Sequence, residues 1–313
     1  MSGSGSRRRA AVDVGTNSVR LLVVDADGTS LAREMNITRL GEGVDERSRL
    51  DDEALARTLD TIGRYRQVWE ELGVHDDVRV AATSAVRDAR DRDRFFDGVR
   101  RVAGVEAEVL SGEEEAATTY RGVIGALDVE RPVAVVDVGG GSTELIVGDG
   151  GGGLAASISL QLGCVRLTER LLPSDPPSQA ELSAAREEVR DQLDGAAGQL
   201  AERGADPADC RTLAGVAGTV TTLAALHLDL ERYDPERVHG TRISSDAVTR
   251  LGRRLASMTA DERRGLGPMA SGREDIIVAG ALVVEGVLER FGFTELVASE
   301  ADILDGLALQ LLD

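Results

Sequence analysis

Val12–Asp25 reads VDVGTNSVRLLVVD, and Val136–Asp149 reads VDVGGGSTELIVGD. Without gaps, eight of the fourteen positions coincide: Val12/136, Asp13/137, Val14/138, Gly15/139, Ser18/142, Leu21/145, Val23/147 and Asp25/149. In each copy an apolar run ends at a glycine-containing turn and a second apolar run follows, which is a β-hairpin pattern. One such hairpin is commonplace; two matching copies in one chain predict two domains of similar fold. Glycine lets backbone approach an anion closely, and successive turn N–H groups form a nest. Gly15, Thr16, Asn17 and Ser18 supply the first nest. Gly139, Gly140, Gly141, Ser142 and Thr143 supply the second. Asp13 and Asp137 stand at the strand end before each turn, where a carboxylate holds a cation directly or through water. The turns are neither a Walker loop nor a Rossmann fingerprint, because GK[ST] is missing and a strand, not a helix, comes next.

Outward from the hairpins the chain alternates strands and helices, an α/β signature. Asp51–Leu72 carries Leu55, Leu59, Ile62, Trp69 and Leu72 on one helical face, closed by Gly73. Val78–Ala82 reads as a strand, Thr83–Arg87 as a loop, Arg92–Val102 as a helix and Val105–Leu110 as a strand. Ser111-Gly112-Glu113-Glu114 forms a capping box that starts a helix near Gly112. Leu127–Pro132 reads as the connection between domains. Beyond it, Ser157–Leu162 is expected to be a strand and Ser178–Arg203 a long helix. A strand over Arg211–Ala217 is expected to end in Gly218-Thr219. Helices over Asp275–Phe291 and Ala301–Leu312 flank a strand at Leu296–Ser299.

The 313 residues suit about two domains. The net charge of −19 excludes a general nucleic-acid binder and works against long-range attraction of polyanions. Any phosphate ligand therefore needs a local positive site or a cation. The chain contains no lysine, so side-chain grip on phosphate falls to arginine, which suits bidentate contact. No apolar run is long enough to span a bilayer, and Met1–Arg9 is expected to be a disordered leader, not a signal peptide. Cys164 and Cys210 form no metal or redox motif and are expected to be buried thiols of a cytoplasmic protein. His75, His227 and His239 are too dispersed for a zinc site.

Six segments together resemble the exopolyphosphatase/guanosine pentaphosphate phosphohydrolase family. They are AAVDVGTNSVRLLVVD, ITRLGEGVD, VAATSAVRDA, VLSGEEEAA, VVDVGGGSTELIVG and GVAGTVTTLAAL, and the resemblance runs from about Ala10 to Gly306. It implies the fold of the actin/sugar-kinase/heat-shock-chaperone superfamily: α/β, with two ribonuclease H-like domains facing each other across a cleft. Domain I is expected over 1–125 plus a C-terminal helix at about 300–313, and domain II over 126–299. The implied activity is Mg²⁺-dependent release of terminal phosphate from inorganic polyphosphate, with Mn²⁺ as an alternative ion. The alternative substrate is guanosine pentaphosphate (pppGpp). Longer members carry further helical domains, so a chain ending at Asp313 is expected to prefer short polyphosphates. A homodimer is expected, with no nucleic-acid or membrane partner. A non-hydrolytic actin-like module or kinase is the reading from another class, disfavoured because Glu115 and Asp137 are both present.

The resemblance also implies roles residue by residue. Glu115, the last acid of SGEEEAA, becomes the general base; its rival role is to complement the helix dipole. Asp137 and Glu144 become catalytic and metal-binding, with Asp13 a further metal candidate; Glu144 could instead be a strand residue facing solvent. Arg87, beside Ser84 at a strand end, becomes a phosphate grip or else a surface ion pair. Arg20 is similarly placed, although strand alternation could turn it away. Gly218 and Thr219 become phosphate contacts. Arg273 is a further phosphate candidate with a structural role equally open. Gly41-Glu42-Gly43 has no role derivable from the residues.

Overall fold

The computed structural model describes residues 7–312. These form two compact units, one running up to Gly122 and resuming at Ile303, the other comprising Val123–Asp302.

The first unit contains β1 (Arg9–Val14), β2 (Ser18–Val24), β3 (Ser30–Ile37), α1 (Val44–Arg47), α2 (Asp52–Glu71), β4 (Val78–Ala82), α3 (Ser84–Asp88), α4 (Asp93–Ala103), β5 (Ala107–Val109) and α5 (Gly112–Ala126), whose last residues pass into the second unit. The second contains β6 (Val133–Val138), β7 (Thr143–Gly148), β8 (Leu154–Leu160), α6 (Cys164–Leu171), α7 (Gln179–Glu202), β9 (Thr212–Val216), α8 (Ala217–His227), α9 (Pro235–Val238), β10 (Arg242–Ser244), α10 (Ser245–Ala256), α11 (Ala260–Arg264), α12 (Ile277–Phe291) and β11 (Glu295–Ala298). The chain then returns to the first unit as α13 (Ile303–Leu312).

The repeat in the sequence is a repeat of topology. The first sheet is ordered β3-β2-β1-β4-β5, with β1, β2 and β3 an antiparallel meander and β4 and β5 parallel to β1. The second is ordered β8-β7-β6-β9-β11-β10, with the same meander, the same two parallel strands, and β10 added antiparallel at the edge. This shared order is the ribonuclease H-like arrangement implied above.

Strand alternation sorts the faces. In β1, Ala10, Val12 and Val14 pack into the core that holds α2 and α4, while Ala11 joins Leu22, Val24 and α13 on the other face. Asp13 therefore shares the face of Ala11. In β6, Val136 and Val138 enter the large core with α6, α7, α8, α10 and α12, which turns Asp137 to the opposite face.

Several expectations needed correction. Thr83–Arg87 is not a loop: Ser84–Asp88 is a short helix whose Ala85 and Val86 are buried. Gly218-Thr219 lies in the first turn of α8, because β9 already ends at Val216. Of the expected leader, residues 1–6 lie outside the described residues, but Arg7–Arg9 are structured. Arg7 pairs with Asp77, Arg8 Nη1 donates to the Leu72 carbonyl at 2.7 Å, and Arg9 opens β1 opposite Val24. Among the described residues, no helix is long and apolar enough to cross a membrane. Both cysteines are free and buried.

Candidate active site

In the first unit the turn after β1 is anchored by its carbonyls. Gly15 N donates to Ser18 O at 2.9 Å and closes the hairpin. Gly41 N donates to Thr16 O at 2.8 Å, while Thr38 N and Arg39 N both donate to Asn17 O at 3.0 Å. A trans peptide points its N–H opposite to its C=O, so the amides of Asn17 and Ser18 face away from the 38–41 segment. Gly41 is required for this seat: a Cβ there would lie 2.1 Å from Thr16 Cγ2. That is a structural role for the Gly41–Gly43 loop. Thr16 and Ser84, both buried, share a hydroxyl hydrogen bond of 2.9 Å, which ties the turn to the start of α3.

On the shared face, Asp13 and Arg20 are direct cross-strand partners, and Arg20 Nη2 contacts Asp13 Oδ2 at 2.6 Å. Arg20 thus points to the same face as Asp13 and balances its charge. Arg87, on α3, donates through Nη1 to Leu110 O and to Glu115 Oε2, each at 2.9 Å. Its Nη2 is buried with no partner among the described residues. Such a group costs free energy unless something accepts from it.

Glu115 sits in the first turn of α5, which opens with the expected capping box: Ser111 N donates to Glu114 Oε2 at 2.8 Å and Glu114 N to Ser111 Oγ at 3.2 Å. Glu114 is therefore a capping residue, and Glu115, only 6% exposed, is the acid that turns inward. Burial pushes its carboxyl up to about 7, against the opposing pull of Arg87 and with added repulsion from Asp13 and Asp88. Loss of water thus outweighs the helix dipole and leaves a carboxylate poised to exchange a proton near neutral pH.

The second unit repeats the turn with a different anchor. Gly139 N donates to Ser142 O at 3.0 Å. The start of α6 then takes the turn's carbonyls: Cys164 N to Gly139 O at 2.9 Å, Val165 N to Gly140 O at 2.8 Å, and Arg166 Nε to Gly141 O at 2.9 Å. The N–H groups of Gly140, Gly141 and Ser142 consequently face away from α6 as an ordered nest. Gly163 makes this possible, since a Cβ there would lie 2.3 Å from Gly140 O. Thr143 is fully buried and its hydroxyl is committed to the Leu162 carbonyl, so it braces the turn.

Asp137 and Glu144 are direct cross-strand partners, as are Glu144 and Ser159. Opposed residues on one face stand about 4.5–5.5 Å apart at Cβ. Glu144 is 1% exposed, so it is not a solvent-facing strand residue, and Ser159 Oγ donates to its Oε1 at 2.7 Å. The two units therefore differ at equivalent positions. The first has Asp13 beside Arg20, a balanced pair; the second has Asp137 beside Glu144, two acids on adjacent strands.

Gly218, Thr219 and Arg273 gather at the start of α8. Arg273 lies against Gly218, where a Cβ would meet its guanidinium carbon at 2.4 Å, and its Nη1 donates to Thr222 Oγ1 at 3.1 Å. Ala217 adopts φ 65, a left-handed conformation that is strained for a residue with a side chain. Cys164 links this cluster to the glycine turn: its amide binds Gly139 O and its thiol hydrogen-bonds Thr219. Burial pushes that thiol up to about 11, so it is a packing group.

Comparison with known proteins places this chain in a family. The model of the Ppx/GppA phosphatase family matches residues 22–313. The chain belongs to the Ppx/GppA phosphatase family. It is 43% identical to Exopolyphosphatase 2 of Mycobacterium tuberculosis, over 97% of this chain and 98% of that one. It is 33% identical to the guanosine-5'-triphosphate,3'-diphosphate pyrophosphatase of Vibrio campbellii, over 70% of this chain and 43% of that one. The crystal structure of the Aquifex aeolicus Ppx/GppA family member superposes with a TM-score of 0.81 at 31% identity, covering 98% of each chain.

Gly41 seats the first unit's turn, and Gly163, Arg166 and Ser159 support the second unit's turn and its Glu144; none of the four was a site candidate from the sequence. Gly41 carried a signal only as part of the ITRLGEGVD segment and Gly163 only as a glycine ahead of an amphipathic segment; Ser159 and Arg166 carried none. Among the described residues, no three His, Cys, Asp or Glu side chains form a metal cage. The Asp137–Glu144 pair nonetheless fits Mg²⁺, which takes one or two carboxylates and fills its remaining positions with water and phosphate oxygens.

Proposed function

We propose that this Ppx/GppA chain is an exopolyphosphatase that hydrolyses the terminal phosphoanhydride bond of inorganic polyphosphate. The observation that carries the reading is Glu115: a buried carboxyl lifted to about 7, bonded to Arg87 and near enough to Asp13 to feel its charge. Glu115 takes a proton from water as the oxygen attacks the terminal phosphorus. The P–O bond to the chain breaks, and its electron pair leaves on the shortened polyphosphate. In the first unit the amides of Asn17 and Ser18 and the buried Nη2 of Arg87 would donate to phosphate oxygens; in the second, the amides of Gly140 to Ser142 offer phosphate oxygens the same kind of nest. Asp137 and Glu144 of the second unit would hold Mg²⁺, which would supply neutralising charge to phosphate oxygens. Asp13, balanced by Arg20, would be the first unit's own candidate for a cation and adds to the basicity of Glu115. The chain's Vibrio relative supports a second reading, in which guanosine pentaphosphate is the substrate.

Orthophosphate release from polyphosphates of several lengths, guanosine pentaphosphate and ATP, measured with Mg²⁺, separates the readings. Polyphosphate is expected to have the highest kcat/KM. Preference for guanosine pentaphosphate reverses the order of the two readings, and release from none of them refutes both.

A further inference from the structure

Gly306, in the first half of α13, is required by what it touches. It lies inside a regular helix, where no special backbone angle calls for glycine, and glycine is the weakest helix former short of proline. The contact that requires it is with Thr118 of α5. A Cβ at position 306 would lie 1.9 Å from Thr118 O, 2.7 Å from its carbonyl carbon and 2.9 Å from its Cγ2. The first two are backbone atoms, so no change of rotamer makes room. One turn further along α13, Gln310 Nε2 donates to Thr118 Oγ1 at 3.2 Å, and Gln310 Oε1 accepts from Arg79 of β4. Thr118 is buried, so α13 meets α5 in the interior of the first unit.

Both members of the Arg87–Glu115 pair stand one step from this helix. Thr118 follows Glu115 by three residues, the spacing of neighbours on a helix surface, about 4.5 Å along the axis. Arg87 Nη1 is held by Leu110 O, and the Leu110 side chain is buried in one cluster with Ile303, Leu304 and Leu307 of α13. We propose that α13, through Gly306 and Gln310, sets the depth at which α5 seats Glu115 against Arg87, so that Gly306 is a positioning residue for hydrolysis. Its importance for hydrolysis rests on Glu115 being the base; the seating itself does not. Tolerable Cβ contacts begin near 3.0 Å, so Gly306→Ala must drive the two helices apart by about 1 Å. The first turns of α5 are hydrogen-bonded to one another and move with Thr118, which carries Glu115 away from Arg87. Misplacing a catalytic group by about 1 Å can cost about 10²-fold in rate.

Crystal structures and steady-state kinetics of the full chain test this, with inorganic polyphosphate and Mg²⁺ in the assay. In Gly306→Ala the contact from Arg87 Nη1 to Glu115 Oε2, 2.9 Å in the wild type, is expected to open beyond about 3.5 Å. Its kcat should fall about 100-fold while KM changes less than about threefold, because the first phosphate turn is not part of α5. Thr118→Val keeps the side chain's shape and removes the hydroxyl bonded by Gln310; kcat should fall at least about threefold, with Thr118→Ser within about twofold of the wild type. Arg33→Met removes the ion pair that ties α13 to β3 through Asp305, and should leave kcat unchanged. The inference is overturned by a folded Gly306→Ala whose Arg87–Glu115 contact is intact, by a loss that falls on KM alone, or by equal damage from Arg33→Met. If Gly306→Ala does not fold, Thr118→Val decides, and a wild-type kcat in that variant overturns the inference. A wild type that releases no phosphate sinks the hydrolytic reading, while the crystallographic distance still decides the seating.

Discussion

Replacing Arg87 by Met should move the pH dependence of catalysis and not only its size. Arg87 contacts Glu115 at 2.9 Å, and the two side chains are 20% and 8% exposed. Burial has already pushed Glu115 up to about 7, with Arg87 pulling it down. An opposite charge at this range typically moves a carboxylate by about 1–3 pH units. Without it, Glu115 should titrate near 8 or above. The base works deprotonated, so kcat/KM falls about tenfold per pH unit below that value. The wild type is expected to show an acid limb near pH 7, and Arg87→Met a limb at least about one pH unit higher. At pH 7 the variant should thus lose at least about fivefold from protonation alone, recoverable at pH 9. Loss of a phosphate contact would lower the whole profile without shifting it, so the two roles of Arg87 separate. An unshifted or lowered limb in Arg87→Met, or a wild-type limb near the ordinary carboxylate value, refutes the reasoning.

Three further outcomes follow from the same geometry. Because Glu115 in the folded chain lies above its ordinary 4.5, its contribution to stability is complete below 4.5 and is lost as pH rises to about 7. Glu115→Gln should therefore gain on the wild type across that window by up to roughly 3 kcal/mol, at about 1.4 kcal/mol per pH unit, and a Tm difference constant from pH 4.5 to 8 argues against it. Gly163→Ala places a Cβ 2.3 Å from Gly140 O; the backbone must shift, costing about 1–3 kcal/mol and raising KM, as melting and steady-state kinetics would read. Ser159→Ala removes the donor to Glu144 Oε1, with an expected cost of about 1–3 kcal/mol and weaker Mg²⁺ binding by calorimetry; unchanged Mg²⁺ affinity would make Ser159 merely structural.

The hairpin repeat was enough to anticipate two units of one topology, because period-2 patterning and a glycine turn are local properties. The strand at Ser30–Ile37 escaped notice for the opposite reason: SLAREMNI is an edge strand, largely exposed, with no apolar alternation to reveal it. The helix at Cys164–Leu171 was missed because its worth is tertiary; its first amides seat the Gly139 and Gly140 carbonyls and its Arg166 side chain that of Gly141, contacts that span more than twenty residues. The roles of Gly41 and Gly163 lie in what a Cβ would strike, and no sequence pattern carries that information. Asp13, Asp137 and Glu115 were legible as acids at turns and at a helix start. That Asp13 is balanced by Arg20 while Asp137 faces Glu144 is a matter of strand register, visible only once the hairpins are paired.

The most direct test of Glu115 as the base is a single-turnover measurement of terminal phosphate release from a short polyphosphate at pH 8 with Mg²⁺. Wild type and Glu115→Gln would be compared, with substrate affinity measured on each. The nests and Arg87 remain in the variant, so binding should stay within a few-fold of the wild type. Its rate should fall by about 10²–10⁴-fold, the usual contribution of a positioned general base. A variant that releases phosphate within about tenfold of the wild-type rate would contradict the account.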